Sequence, residues 1–291
     1  MSRRRFLATT AMGTVGLALP GWVPSLLGEP GHSIELGVCT SFEDHAILKQ
    51  AGFQYIEDSV GHVLMPKADD VAFEKMRKAV EAASLPIRSV TLFIPGEMKI
   101  VGPSVDMDAL LRYSEAVFRR AKKLSVPRIV LGSGRARQIP DGFSRERAAE
   151  QLIEFGKRIA PAAQANDVIV VLENLQKKEC NFINRVEEGL KIVEAIGHPG
   201  FQMHADIFHM LREDEGPESI IKAGAHLKHC HIATKKNRRA PGVEDDDFRP
   251  YLKALKEIKY RGGISIEGGW KDFNKELPVA CRELRKQLDG A

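Results

Sequence analysis

Four short apolar runs in the second half of the chain end on residues that can hold a cation or move a proton. Val168-Ile169-Val170-Val171-Leu172 ends on Glu173, and Met203-His204-Ala205 ends on Asp206. His229-Cys230 leads to His231, and Ile264-Ser265-Ile266 leads to Glu267. A carboxylate closing an apolar run is costly to bury unless it meets a cation. Where such ends converge, three carboxylates repel and push one another's pKa values upward; one divalent ion resolves this and leaves a cluster charge of about −1. Three oxygen ligands and one imidazole favour Mn2+, with Mg2+ or Co2+ as alternatives and Zn2+ open, over a thiolate zinc site. His204 and His229 stand two residues before Asp206 and His231, so alternation gives them the same inward face. They read as hydrogen-bonded core histidines or as supports for the ligands. Cys230 alternates away from that face and is not counted as a ligand.

Two further segments carry candidates. Glu57 closes the run Tyr55-Ile56 and reads equally as a substrate contact or as a member of a structural ion pair. Gly132-Ser133-Gly134-Arg135-Ala136-Arg137 has little side-chain bulk and then two cations. It reads as a solvated loop, or as a close backbone approach to substrate with Arg137 meeting an acidic group.

The elements that must position these residues repeat as strand then helix. Runs rich in β-branched residues fall at Ile34–Thr40, Gln54–Asp58, Ile87–Ile94, Arg128–Gly132, Asp167–Glu173, Phe201–Asp206, Leu227–Ile232 and Gly263–Glu267. Helical spacing follows them at Asp44–Ala51, Val71–Ala83, Met107–Leu124, Arg145–Ala165, Arg185–Ile196, Pro217–Ala223, Arg249–Ile258 and Phe273–Leu288. Leu110, Tyr113, Val117, Ala121 and Leu124 show the three- and four-residue period. Eight such units over about 260 residues predict an α/β fold, a single (β/α)8 barrel from residue 31 to 291. A doubly wound open sheet is the alternative. The first strand-helix turn lacks GxGxxG, and GxxxxGK[ST] does not occur, which disfavours nucleotide-binding versions. In a barrel the chemistry belongs at the carboxyl ends of the strands, where the four residues above lie.

Composition narrows the classes. With 43% hydrophobic and 28% charged residues over 291 positions, the chain can bury a large core and is neither disordered nor collagen-like. The net charge is +4; setting aside Arg3, Arg4 and Arg5 leaves 40 basic against 39 acidic residues, which gives no charge-based case for nucleic acid. The four cysteines form no CxxC pair.

Residues 1–30 read as an address. Ser2-Arg3-Arg4-Arg5-Phe6-Leu7 precedes an uncharged stretch to Gly28, and the paired arginines resemble a twin-arginine export signal. That resemblance implies the twin-arginine translocation machinery as a partner. The expected location is the periplasm, or a tether on the outer side of the inner membrane.

Several longer patterns add to the four strand ends. They are Ala51-Gly52-Phe53 before Tyr55-Ile56-Glu57, Glu179 six residues after Glu173, Asp206-Ile207-Phe208-His209, His231-Ile232, Asn237-Arg238 with Pro241-Gly242, and Ile266-Glu267. Together they resemble the xylose-isomerase-like barrel superfamily, in the branch of tagatose and psicose 3-epimerases, over roughly residues 34–290. The resemblance implies that Glu173, Asp206, His231 and Glu267 hold one metal ion. It places Glu179, His209 and Arg238 on substrate hydroxyls, although Lys235, Lys236 and Arg239 share the basic run with Arg238. The implied reaction is sugar isomerisation or epimerisation by proton abstraction beside a carbonyl through a metal-stabilised enediolate, with Glu173 and Glu267 as the paired acid-base residues. Trp270, just past Glu267, would stack on a sugar face or cover the rim. An exported relative could instead act on keto-glycosides, as a 3-keto-glycoside 1,2-lyase or a keto-glucal hydratase. A non-catalytic sugar-binding protein and an endonuclease-like phosphodiesterase are weaker readings. A homodimer is expected by analogy with the same family.

Overall fold

The computed structural model describes residues 34–291. The expected export signal therefore lies outside the described residues, and among those that are described no helix is long and apolar enough to cross a membrane. Eight parallel strands close into a barrel in chain order. They are β1 Glu35–Cys39, β2 Tyr55–Ser59, β3 Ile87–Thr91, β4 Arg128–Leu131, β5 Ile169–Glu173, β6 Phe201–Asp206, β7 Leu227–Ile232 and β8 Gly263–Ile266. Helices wrap the outside, the longest being Met107–Lys123, Arg145–Ala165 and Phe273–Asp289. Each of these three starts at a side chain that caps its first turn: Asp106 accepts from the Ala109 N–H, Ser144 from Arg147 and Asp272 from Lys275.

The strands are buried on both faces, as expected when one face packs on helices and the other fills the barrel. Inside, Tyr55 projects across from β2. A Cβ on Gly37 would collide with its ring, and one on Gly263 would stand 2.6 Å from its Oη. Glycine on β1 and β8 thus makes room for one aromatic plug, whose hydroxyl is 2.8 Å from Ser265 Oγ. Above this plug the register sets inward-facing residues level with one another: Glu173 beside His204, His204 beside His229, and Asp206 beside His231.

Three local features depart from the sequence expectation. The third strand stops at Thr91 rather than Ile94, because Leu92 takes a left-handed φ of 57°. Glu267 lies one residue past β8, although its N–H still donates to Ile232 O at 3.2 Å. Short helical segments at Val60–Leu64, Gly134–Arg137 and Ile207–Arg212 leave the carboxyl ends of β2, β4 and β6. They are too brief to show a period in the sequence.

Candidate metal centre

Glu173, Asp206, His231 and Glu267 meet at the carboxyl end of the barrel, with one donor atom from each within 4.8 Å of all the others. His231 Nδ1 is 3.2 Å from Glu173 Oε1, 3.3 Å from Glu267 Oε2 and 4.0 Å from Asp206 Oδ2. Ligands at about 2.1 Å from one ion stand roughly 3–4 Å apart, so this spacing suits a single divalent cation. Two of the atoms, Asp206 Oδ2 and His231 Nδ1, are buried without a hydrogen-bond partner. Such orphans carry a desolvation cost that an ion would offset.

The electrostatics show a cluster short of positive charge. Burial, together with Glu267, lifts the Asp206 carboxyl to about 6. Burial also raises Glu173, against the pull of His231. Burial alone would lower His231, but Glu57, Cys39 and Glu267 turn the balance and hold it well above the usual histidine value. Glu267 is pushed up by burial and pulled down further by His231 and Arg238, to about 2.

The ligands are held from behind. His231 Nε2 donates to Glu57 Oε1 at 2.9 Å, which leaves Nδ1 toward the three carboxylates. Glu57 Oε2 takes His229 Nε2 at 2.6 Å and the Ser265 hydroxyl at 2.5 Å, so this fully enclosed carboxylate ties β2, β7 and β8 together. Of the two readings for Glu57, the structure gives the structural ion pair. His229 belongs to the same network, and His204 Nδ1 lies 3.6 Å from Glu173 Oε1. Asn174, which the sequence reading passed over, brackets Asp206: its Oδ1 accepts the Asp206 N–H at 2.9 Å and its Nδ2 donates to Asp206 O. A polar residue directly after a strand-end Glu was the available signal.

Arg137 requires a correction. It is neither solvated nor facing substrate; it is 0% exposed. Its guanidinium donates to Gly132 O at 2.7 Å, Glu173 O at 2.6 Å and Phe182 O at 3.1 Å. The carbonyls come from the end of β4, the end of β5 and the loop after β5, so Arg137 pins the backbone of Glu173. No local spacing announces three carbonyls gathered from such distant segments.

Three further residues adjoin the cluster, Glu179 and Arg238 partly exposed and His209 buried. Arg238 Nη2 donates to Glu267 Oε2 at 2.6 Å and Nη1 to Glu179 Oε1 at 3.1 Å, while its guanidinium lies 4.7 Å from the Phe208 ring centre. His209 Nε2 stands 3.4 Å from Asp206 Oδ2 and 3.7 Å from Glu179 Oε2. The other cations of the run turn elsewhere, Lys235 to Asp214 and Arg239 to Glu276, while Lys236 is exposed. Trp270 is half-buried edge-on to Phe273, ring centres 5.1 Å apart. All four cysteines are free, and Cys39 Sγ lies 3.7 Å from His231 Nε2.

Comparison with known proteins places this geometry. An L-ribulose 3-epimerase from Methylomonas sp. strain DH-1 is 32% identical over 139 residues, covering 47% of this chain and 46% of that protein. A D-psicose 3-epimerase from Ruminiclostridium cellulolyticum is 32% identical over 156 residues, covering 48% and 53%. The matched stretch thus spans about half the length of each relative. A solved structure of 3-keto-D-glucoside 4-epimerase from E. coli aligns with a TM-score of 0.73 at 18% identity, over 87% of this chain and 100% of that one. That likeness is one of fold. Residues 46–287 match the family described as Xylose isomerase-like TIM barrel, and with the barrel closed and its strand-end cluster in place, the chain belongs to that family.

Proposed function

We propose that the protein is a divalent-metal-dependent epimerase or isomerase of a small ketose, acting on the hydrogen beside the carbonyl. The convergence of Glu173, Asp206, His231 and Glu267 at one point of the catalytic face carries this reading. The ketose 3-epimerases among its relatives support it. When bound there, a divalent ion supplies positive charge to the sugar's carbonyl and neighbouring hydroxyl oxygens as the proton leaves. Mn2+ suits the three-carboxylate, one-imidazole donor set best.

The chain's own residues supply the rest. Glu173 and Glu267 enter from β5 and from just past β8, three strands apart around the rim. Carboxylates reaching one substrate from two directions can take a proton from one face and return it to the other, which epimerisation requires and single-face isomerisation does not. His231 and, after it, Arg238 keep Glu267 ionised, in the form that accepts a proton. Glu179, His209 and Arg238 adjoin the cluster and offer donors and acceptors to sugar hydroxyls. Asp206 and His231 complete the ligand set.

Proton NMR in D2O tests the proposal, using Mn-loaded protein freed of metal before acquisition, with free ketohexoses and a 3-keto-glucoside in separate tubes. Deuterium entering beside the ketose carbonyl, with a second sugar formed, is the expected result. Loss of the 3-keto-glucoside C2 proton with release of the aglycone would move the assignment to the 1,2-lyase, and no exchange in any tube would overturn both.

A further inference from the structure

The face of the barrel opposite the metal centre holds a cavity of about 540 Å3, between the amino ends of β4 to β8. Arg128 opens β4 and Lys228 lies one residue into β7; both line the cavity, as do Lys259 and Arg261 from the turn before β8. Among the described residues no aspartate or glutamate lines it. Four cations facing one concavity with no counter-charge repel one another, and burial makes that repulsion stronger.

Two of the four are half-buried and lack any compensation in the described residues. The Arg128 Nε is enclosed and has no hydrogen-bond partner. Lys228 is removed from water enough that burial lowers its pKa, and among the described residues it has no ion pair or side-chain hydrogen bond. A half-buried cation without an acceptor has lost part of its water and keeps its charge free for a partner arriving from outside. Two of the neighbouring polar groups are already engaged: Gln202 bonds His198 O and His226, and the Tyr260 hydroxyl donates to Gly263 O, while Gln164 also lines the cavity. The cations, with the Gln164 amide, are therefore the groups that face a ligand. The remaining wall is largely aliphatic, and the volume falls in the range of small-molecule sites.

We propose that this cavity binds a small multivalent oxyanion with a carbon skeleton, a phosphate ester or a polycarboxylate, at a site separate from the metal centre. At least two negative charges are needed to answer Arg128 and Lys228 together, with Lys259 and Arg261 at the entrance drawing the anion in. The site lies at the wrong end of the barrel for the chemistry, so occupancy need not touch turnover.

Isothermal titration of the metal-loaded protein with 3-phosphoglycerate and, separately, with tricarballylate tests this and distinguishes the two sources. The expected result is one site per chain with a Kd below about 1 mM for at least one probe. Lys228→Gln and Arg128→Gln are each expected to weaken it at least tenfold while sugar turnover stays at the wild-type level. Because Arg128 is partly enclosed and its variant could misfold, the exposed pair Lys259→Gln and Arg261→Gln is measured alongside, with a smaller loss expected. Binding of neither probe below about 10 mM would overturn the proposal. So would binding that is unchanged in all of these variants, which would place the anion elsewhere.

Discussion

On the proposed function, Asp206 gives up stability in the metal-free protein to face the ion. Its folded pKa of about 6 lies above the ordinary 3.8, so between those values the folded state holds the proton more tightly than the unfolded chain. Stability of the metal-free protein therefore falls as pH rises from about 4 to about 6, and at pH 7 the ionised carboxylate costs on the order of 2–3 kcal/mol. Asp206→Asn keeps an oxygen for the His209 N–H that Oδ1 now serves. Calorimetry at pH 7 should show the metal-free variant melting several degrees above the metal-free wild type, with no further rise on adding Mn2+. A lower melting point in the metal-free variant would contradict this. The proposed function has Glu57 act through His231, to which it is hydrogen-bonded. Glu57→Gln leaves the carbonyl that accepts from one histidine but removes the second negative oxygen from the network. Metal affinity should drop roughly 10- to 100-fold while the far-ultraviolet circular dichroism is unchanged. Equal affinity in both proteins would remove Glu57 from the centre.

At the scale of elements, the barrel converts alternation along strands into convergence in space. Glu173, Asp206, His231 and Glu267 were legible as a set because each closes an apolar strand at an equivalent position. His204 and His229 were legible as inward-facing for the same reason of period. What was not legible lies in contacts that no period encodes. The three carbonyls on Arg137 come from residues 5, 36 and 45 positions away along the chain. Arg137→Leu should therefore cost at least about 1–3 kcal/mol per orphaned buried carbonyl, read as a lower denaturation midpoint. Arg137→Lys should recover only part of it, since an ammonium cannot copy the planar fork. A midpoint within experimental error of wild type for the leucine variant would contradict the bracing role. Gly37 is the complementary case: its replacement by Ala forces a Cβ into the Tyr55 ring and is expected to destabilise by roughly 1–3 kcal/mol. Pairing Gly37→Ala with Tyr55→Leu should return part of that loss in a double-mutant cycle.

Across the whole molecule, the two ends of the barrel carry opposite electrostatics. Three carboxylates gather at the carboxyl end and four cations line the cavity at the amino end, within a chain whose formal charge is only +4. Net charge therefore hid both ends from the composition, although the strand-end pattern exposed one of them. The fold itself was the most legible level: eight strand-helix units appeared where expected, and strand ends differed by a few residues where Leu92 turned left-handed or Glu267 stepped past β8. Because the folded barrel brings the four proposed ligands together, an ion bound there would stabilise the fold. Removing the ion with a chelator should lower the melting temperature, and readdition should restore it as RT ln(1 + [M]/Kd).

The central claim is that these four strand-end residues form one ion site, and titration with Mn2+ followed by the paramagnetic resonance signal of the free ion tests it most directly. The account predicts one tightly bound ion per chain in the wild type, and loss of that binding in Asp206→Asn and Glu267→Gln with the barrel still folded. No tight ion in the wild type, or undiminished binding in both variants, would contradict it.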